Sequence, residues 1–583
     1  MDQKIEKKIA EWTKEPFDSE TIAELKDLVA KEDFEELKDR FYTSLRFGTG
    51  GLRGILGAGT NRMNVYTVGM ATQGLANYIK KNKGQEQGLV VAYDSRKKSD
   101  LFAREVAEIM AANGIKTYFF LDITPTPLAS YAIRKLSAIS GVVVTASHNP
   151  PEYNGYKAYW ENGGQVIPPH DEGIIKEVEK ITSIKEIKKI TYEEGLAQGL
   201  IKKIGNEMLT SYLEDLERAS FKKREPSDLR IVYTPLHGTG YKIIPQVLDH
   251  FGFQKVFLEK DQMLPDGNFP TVKTPNPEEQ EAMSLAIKLA KEKKAEVILA
   301  TDPDADRLGV AFKKEQGDFF LMNGNQIGTM LLYYLLLRFN ESSKVKGQGF
   351  AVKTIVTTDL QREICEDFGV QISEVLTGFK WIAAKMEDDF QTENKKFIFA
   401  GEESHGYLPV DFVRDKDAVS TVYFFAEMAD WLKKRGITLE KFLNEIYLKY
   451  SFYLEDLASL TLKGVAGSKQ IAKIMANFRS NPPFEISGYQ VEKILDFKSL
   501  VAKDCLKGIA IQIAGFPASD VLQFFLQDNI KVTMRPSGTE PKIKFYFSLK
   551  KKIQERSLNQ EKKEIEQKLE LLKNNFIKTC LEV

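Results

Sequence analysis

Short apolar runs in this chain alternate with stretches of helical period, and that alternation predicts most of the fold. Residues 1–40 read as two amphipathic, charged helices, with Ile22, Leu25 and Leu28, then Phe34 and Leu37, at a rough helical spacing. A Gly-rich stretch follows, Phe47-Gly-Thr-Gly-Gly-Leu-Arg-Gly54. Beyond it the pattern predicts a strand over Gly88–Tyr93, a helix over Phe102–Asn113 and a strand over Lys116–Leu121. Alternation of this kind implies βαβ units and a mostly parallel sheet. After a charged, weakly apolar region at 171–205 and a helix near 206–219, the pattern restarts. A strand over Leu229–Thr234 leads into Pro235-Leu-His-Gly-Thr-Gly240, then a helix over Ala282–Lys293 and a buried strand over Glu296–Ala300. It restarts once more with a helix over Met330–Arg338 and strands over Ala351–Thr357 and Lys396–Ala400. From about residue 451 short strands, Gly and Pro mix with helices, Asp528–Phe547 looks like a loop between two strands, and 551–578 reads as a charged, solvated C-terminal helix.

The predicted fold class is therefore α/β: three successive similar α/β domains, at 1–207, 208–325 and 326–450, plus a C-terminal α+β domain at 451–583. Length agrees, since 583 residues exceed what a single core organises. No strict short repeat points to a solenoid.

Composition narrows the function classes. Lys plus Arg equals Asp plus Glu at 82 each, which argues against general nucleic-acid binding and against an acidic-membrane role, though not against a locally positive cleft. No apolar run approaches the roughly 20 residues that span a bilayer. The opening Met1-Asp-Gln-Lys-Ile-Glu-Lys-Lys has no apolar core of a signal peptide. Three cysteines, Cys365, Cys505 and Cys580, lie far apart and without metal spacing. They fit a reducing compartment, and a cytoplasmic protein is expected.

Four segments carry candidate chemistry. In Thr145-Ala-Ser-His-Asn-Pro-Pro151, Ser147 stands at the end of the strand Gly141–Val144, next to His148, with Lys157 ten residues on. Strand ends are where open α/β sheets place ligands, and a serine there needs a base, a metal or a strong acceptor field to act as a nucleophile. The plain alternative is a turn with two surface cations. In Asp302-Pro-Asp-Ala-Asp-Arg307, three carboxylates at alternate positions can converge on one hard cation, with Arg307 adding a fixed positive charge for a phosphate. A calcium helix-loop-helix is excluded, because Arg307 stands where that loop needs glycine and Lys313 where it needs glutamate. Gly401-Glu-Glu-Ser-His-Gly406 offers carboxylates and a hydroxyl suited to neighbouring sugar hydroxyls, or is simply a polar loop. Arg535-Pro-Ser-Gly-Thr-Glu-Pro-Lys542 combines arginine, two hydroxyls and glycine-exposed N–H groups, a phosphate cradle without the signature of a nucleotide P-loop. Gathered in a central cleft, these would form the equipment for phosphoryl transfer on a sugar phosphate.

In this order, the four motifs resemble the α-D-phosphohexomutase superfamily over about residues 45–547. Thr377-Gly-Phe-Lys-Trp381, Thr271-Val-Lys-Thr-Pro-Asn-Pro-Glu278 and Gly48-Thr-Gly-Gly-Leu-Arg53 look most like its phosphoglucomutase and phosphopentomutase branch. The resemblance implies four domains around one deep cleft. It implies Ser147 as the phosphoserine, Asp302, Asp304 and Asp306 with Ser147 around Mg2+, and Arg53 and Arg307 steadying the phosphoryl charge. Lys157 becomes the general acid or base, with His148 the second candidate. Glu402 and Ser404 would grip the sugar, and Arg535, Ser537, Gly538 and Thr539, helped by Lys380, the non-reacting phosphate. At His405 the superfamily's pattern varies, so no contact is assigned.

The expected activity is a Mg2+-dependent interconversion of glucose 1-phosphate and glucose 6-phosphate, primed by glucose 1,6-bisphosphate, in a monomer or small homo-oligomer whose partners are small sugar phosphates. The alternatives are a phosphopentomutase, a phosphomannomutase and a sugar-bisphosphate synthase. A non-catalytic sensor would have lost the serine or an aspartate, and a phosphatase would release inorganic phosphate. Residues 1–40 and 551–583 carry no motif.

Overall fold

The computed structural model describes residues 2–48, 51–342, 347–393, 395–462, 464–537 and 542–582. The chain divides into two compact units: Met1–Ile327 with Gly378–Gly436, and Gly328–Thr377 with Ile437–Val583.

The first unit opens with three helices rather than the two expected: Gln3–Trp12, Ser19–Ala30 and Phe34–Phe41. Asp2, Asp18 and Asp33 each cap one, their carboxylates accepting main-chain N–H groups of the first turn. Ile5, Ile9, Trp12, Leu25, Leu37 and Phe41 form a small core of their own.

The first sheet contains β1 (Gly51–Ile55), β2 (Leu89–Tyr93), β3 (Thr117–Phe120), β4 (Ser140–Val144), β5 (Tyr153–Trp160) and β6 (Ile201–Ile204), in the order β1-β5-β4-β2-β3-β6. Strands β2, β3, β4 and β6 run parallel, and β5 is antiparallel to β1 and β4. From β2 the chain passes to β3 on one side and to β4 on the other. The order therefore reverses at β2, with Tyr93 level with Val144. Such a reversal opens a crevice at the carboxyl ends of the strands, and the next residues on each strand are Asp94 and Thr145. At the far side, Gly51 (φ +124°) lies so close to β5 that a Cβ would sit 1.7 Å from the Tyr156 carbonyl oxygen. Only glycine allows β1 to bring Arg53 level with Gly155.

The second sheet repeats the plan with β7 (Ser227–Thr234), β8 (Phe253–Leu258), β9 (Val297–Thr301), β10 (Leu308–Lys313) and β11 (Phe319–Leu321), in the order β11-β10-β9-β7-β8. Here β7 is parallel to β8 and β9, so the reversal falls beside β7, with Thr234 level with Ala300. The loops that leave this point are Pro235–Gly240 and Asp302–Arg307. Later in the chain β12 (Gly349–Thr354) and β13 (Gln371–Val375) pair in parallel within the second unit. Strands β14 (Lys396–Gly401) and β15 (Tyr407–Leu408) pair antiparallel within the first, so residues 326–450 contribute to both units.

The second unit is dominated by an antiparallel sheet built from β16 (Phe452–Thr461), β17 (Glu485–Ile486), β18 (Tyr489–Asp496), β19 (Val501–Asp504), β20 (Ile509–Gln512), β21 (Leu522–Leu526), β22 (Ile530–Pro536) and β23 (Lys542–Lys551). The expected loop over 528–547 is mostly strand, because β22 and β23 pair as a hairpin from Ile530↔Leu549 to Pro536↔Ile543. The last helix, Leu558–Leu581, is not simply solvated. Ile565, Leu569, Leu572, Phe576 and Cys580 form a buried stripe, and the Phe576 ring meets Phe478, Phe545 and Phe547 edge-on.

Candidate active site

Ser147 is held in an unusual backbone state, at φ +52°. A non-glycine residue pays about 1–2 kcal/mol for that conformation. Its neighbours fix it. The Thr145 hydroxyl donates to Asp94 Oδ2 (2.6 Å) and accepts from Ser147 N (2.8 Å). Asp94 Oδ1 in turn accepts from Ser99 Oγ (2.8 Å) and Arg96 N (3.0 Å). The buried Arg96 guanidinium donates to the carbonyls of Ser147, Asn149, Pro150 and Tyr153, gathering the turn around itself. The result points Ser147 Oγ away from its own sheet. It donates to Asp302 Oδ2 at 2.7 Å, with His148 Nδ1 at 3.3 Å. Desolvation, then the positive fields of Arg307 and Arg53, push the His148 imidazole well below its ordinary range, so it is neutral here.

The acidic loop follows the fully buried strand β9. Asp302 Oδ1 accepts the N–H groups of Asp306 and Arg307 (3.0 Å each), which coils the loop, and Ala305 takes φ +49°. Asp304 is clamped by Thr126, whose hydroxyl donates to Oδ2 (2.9 Å) and whose N–H donates to the Asp304 carbonyl (2.9 Å). Thr239 N–H donates to the Pro303 carbonyl (2.8 Å), so the Pro235–Gly240 loop props the same turn. Two lysines face the carboxylates. Lys157 Nζ lies 2.7 Å from Asp304 Oδ2 and 3.0 Å from Asp306 Oδ2, and Lys416 Nζ lies 3.1 Å from Asp306 Oδ2.

Charge is unevenly shared across the loop. Burial, then repulsion by Asp304 and Asp306, raises Asp302 well above the usual carboxylate range. Burial also pushes Asp306 upward, but Lys157, Lys416 and Arg307 outweigh it and hold Asp306 low. Asp304 ends below its ordinary value because Lys157 overcomes burial and Asp306. Asp304 and Asp306 share one further property: Oδ1 of each is buried with no hydrogen-bond partner. Each of the three aspartates offers an oxygen within 4.8 Å of the other two. Buried orphan carboxylate oxygens that converge are what a hard divalent cation requires, so the residues fit a metal such as Mg2+.

Arg307 Nη1 pairs with Glu278 Oε1 at 2.6 Å, and Arg53 Nη1 donates to Asn149 Oδ1 at 3.2 Å, beside Ser147. The Gly401–Gly406 loop is knitted to the acidic loop. Arg307 and Gly406 form an antiparallel bridge, Leu308 N–H donates to the His405 carbonyl (3.0 Å), and His405 Nδ1 donates to the Leu308 carbonyl (3.0 Å). His405 is therefore a tie between loops. Glu402 is buried and its Oε1 accepts from Gly378 N at 2.8 Å, while Ser404 is half-buried. Lys380, two residues beyond Gly378, lies 4.9 Å over the Trp381 ring, and burial lowers its ammonium somewhat against the pull of Asp171. These residues all belong to the first unit. In the second unit, Arg535 lies one residue before the end of β22, level with Lys544, and Ser537 N–H donates to the Lys542 carbonyl at 2.7 Å. Gly538 and Thr539 lie outside the described residues.

Comparison with known proteins decides the lineage. Residues 44–185, 210–317 and 323–450 match, in this order, the phosphoglucomutase/phosphomannomutase alpha/beta/alpha domains I, II and III. The chain belongs to the phosphoglucomutase/phosphomannomutase family. A phosphoglucomutase of Staphylococcus saprophyticus is 35% identical over 525 residues, covering 90% of this chain and 94% of the relative. One of Staphylococcus aureus is 37% identical over 517 residues, covering 88% and 91%. Among solved structures, a putative phosphomannomutase from Thermus thermophilus superimposes with a TM-score of 0.65 at 21% identity, over 90% of this chain and 99% of the other. The open form of parafusin, a phosphoglucomutase from Paramecium, gives 0.63 at 18%, over 88% and 92%. Both share the fold of this chain.

As a phosphoglucomutase/phosphomannomutase family member, the chain places most of the expected residues of its first unit around one point. Sequence reasoning missed four others. Asp94 and Arg96 follow β2, and the strand-end argument applied to Ser147 would have found them. Thr126 and Lys416 gave no local signal. They reach the acidic loop from 178 and 110 positions away, and such contacts are invisible until the sheets assemble.

Proposed function

We propose that the chain is a Mg2+-dependent phosphoglucomutase, an intramolecular phosphotransferase that interconverts glucose 1-phosphate and glucose 6-phosphate through a phosphoserine at Ser147 and a glucose 1,6-bisphosphate intermediate. The observation that carries this reading is the 2.7 Å hydrogen bond from Ser147 Oγ to Asp302 Oδ2. It joins the candidate nucleophile to the acidic loop across 155 positions of sequence. The glucose assignment is supported by relatives that the chain matches over nearly their whole length.

Asp302, Asp304 and Asp306, with an oxygen on Ser147, would hold the Mg2+, which supplies Lewis-acid stabilisation of phosphoryl charge when bound. In the forward step the Ser147 Oγ–P bond breaks as a sugar hydroxyl oxygen bonds to phosphorus. The hydroxyl proton passes to a side chain of the site. The group that takes it, Lys157 or, as second candidate, the neutral His148 beside Ser147 Oγ, returns the same proton to the sugar oxygen in the reverse transfer. Arg53 and Arg307 steady the charge of the phosphoryl group. Glu402 and Ser404 hold ring hydroxyls. Arg535, Ser537, Gly538 and Thr539, with Lys380, hold the phosphate that does not react. The bisphosphate then reverses, and its other phosphoryl returns to Ser147. On the same reading the chain has four domains, 1–207, 208–325, 326–450 and 451–583, and works in the cytoplasm as a monomer or small homo-oligomer. No helix among the described residues is long and apolar enough to cross a membrane.

The test is a mutase assay on glucose 1-phosphate, ribose 1-phosphate and mannose 1-phosphate, each with Mg2+ and its matching bisphosphate. Fastest turnover of the glucose ester is expected, with Ser147→Ala reducing it by at least about 10^4-fold. Preference for ribose or mannose would move the substrate and keep the mechanism. Full activity in Ser147→Ala would end the phosphoserine reading.

A further inference from the structure

The large sheet of the second unit has two edges, and they are finished differently. At one end of its order stands β16, which carries Glu455 and Asp456, and Lys573 of the last helix reaches Asp456 Oδ2 at 2.7 Å. Charges of this kind keep a foreign strand from adding to an edge. At the other end stands β20, paired with β19 on one side. From Gly508 to Ser519 the chain carries no charged residue, and every residue of β20 is exposed. Ile509 and Ile511 are 54% and 63% exposed, and Ile513 follows at the next alternate position. Three isoleucines therefore line one face of an unguarded edge.

The hydrogen-bond pattern says which groups remain open. Ile513 N–H donates to the Leu500 carbonyl (2.7 Å), and the register continues as Ala502↔Ile511 and Asp504↔Ile509. In an antiparallel pair, alternate residues turn their main-chain groups toward the partner. Ile509, Ile511 and Ile513 thus bond to β19, while the N–H and carbonyl groups of Ala510 and Gln512 face outward. Ile509-Ala-Ile-Gln-Ile513 has isoleucine at its centre and at both ends, whichever way it is read. A second copy laid antiparallel about Ile511 sets Ala510 against Gln512 twice, so each outward donor meets an acceptor. The same register sets Ile511 against Ile511 and Ile509 against Ile513, all on one face. Moving the centre by one residue sets Ile513 against Lys507 or Ile509 against Gly515 and breaks the ladder.

We propose that β20 is a self-association edge: two copies of this chain pair antiparallel about Ile511 and join their large sheets across a two-fold axis. The contact is one short strand wide, so the dimer is weak and concentration-dependent. Being isologous, it closes at two copies. The pairing is independent of the reaction at Ser147.

The experiment is sedimentation velocity on the full-length protein from about 1 to 100 μM, with half-dimerisation expected near about 10 μM. Ile511→Lys places two ammonium groups at the axis and should weaken the dimer at least about tenfold. Should that variant fail to fold, Gln512→Pro removes an outward donor without touching the bonds to β19, and carries the same reading. Register is read by oxidative cross-linking in a Cys505→Ser background. Ile511→Cys should link to itself, because residues opposed without mutual hydrogen bonds have Cα atoms about 4.5 Å apart, within a disulfide's span. Ile513→Cys alone should link at least about tenfold less, its two copies lying about 14 Å apart, but should link to Ile509→Cys when the two are mixed. A wild type that stays monomeric at about 100 μM would overturn the proposal. So would a dimer that Ile511→Lys leaves unchanged, a ladder of larger species, or self-linking of Ile513→Cys as fast as that of Ile511→Cys.

Discussion

Two buried charge clusters in this chain look alike by composition and differ in bookkeeping. In the second unit, buried Lys353 Nζ contacts Asp359 (2.9 Å), Glu374 (2.7 Å) and the Thr357 carbonyl (3.0 Å). Arg362 adds a contact to Glu374 (2.6 Å) and Lys531 one to Asp359 (2.7 Å). Every charge meets an opposite one. In the first unit, three aspartates crowd one loop, two of their oxygens have no partner, and Asp302 is forced upward by its neighbours. A cluster built for stability closes its hydrogen bonds, and one built for a ligand leaves them open. The paired cluster has one exception, Glu455, whose Oε1 is shut from solvent without a partner and whose carboxyl burial raises to about 7. It answers by keeping its proton.

The contrast can be broken most forcefully at Asp302. Asp302→Asn keeps an acceptor for the two N–H groups and removes one repelling charge. Mutase turnover should fall by about 10^3-fold or more, while the metal-free protein becomes more stable by about 1–2 kcal/mol at neutral pH in urea unfolding. A loss of stability would show that the acidic loop is structural after all. The opposite response is expected in the paired cluster. Lys353→Met leaves Asp359 and Glu374 short of charge and should cost about 3–5 kcal/mol, read as an earlier urea midpoint.

The smallest effect sharpens the exception. Glu455 titrates near 4.5 when unfolded and near 7 when folded, so between these values the native state binds the extra proton. Stability then falls as pH rises through that window and levels above it. Glu455→Gln should remove this slope, gaining up to about 3 kcal/mol at pH 8 and little at pH 4.5. Urea titrations across that range would show it, and an unchanged slope would refute the assignment.

How much of this was legible before the structure depends on where the cause of each element lies. The strand ends at Val144 and Thr301 follow continuous apolar runs, so the loops carrying Ser147 and the three aspartates could be located from the sequence. The third N-terminal helix is hidden in the sequence because Phe34 and Leu37 continue the helical spacing of Ile22, Leu25 and Leu28. Asp33 caps a separate start. In the last helix the apolar stripe from Ile565 to Cys580 was present at helical spacing, but the surrounding lysines and glutamates dominated its appearance. Charge on one face says little about the other. The inner workings of the site were the least legible. Arg96 acts by ordering main-chain carbonyls 51 to 57 positions away, and no residue pattern encodes such a contact.

The paired hydrogen bonds between Leu308 and His405, one main-chain and one from the imidazole, bear on how this protein would tell one sugar from another. Because the Gly401–Gly406 loop, proposed to hold the sugar ring, and the aspartate loop are laced together, a hydroxyl of wrong configuration would be accommodated by the first only by disturbing the second. Discrimination between epimers should therefore show itself in turnover more than in affinity. A poor substrate would compete well for the pocket and react slowly, behaving toward the good one as an inhibitor.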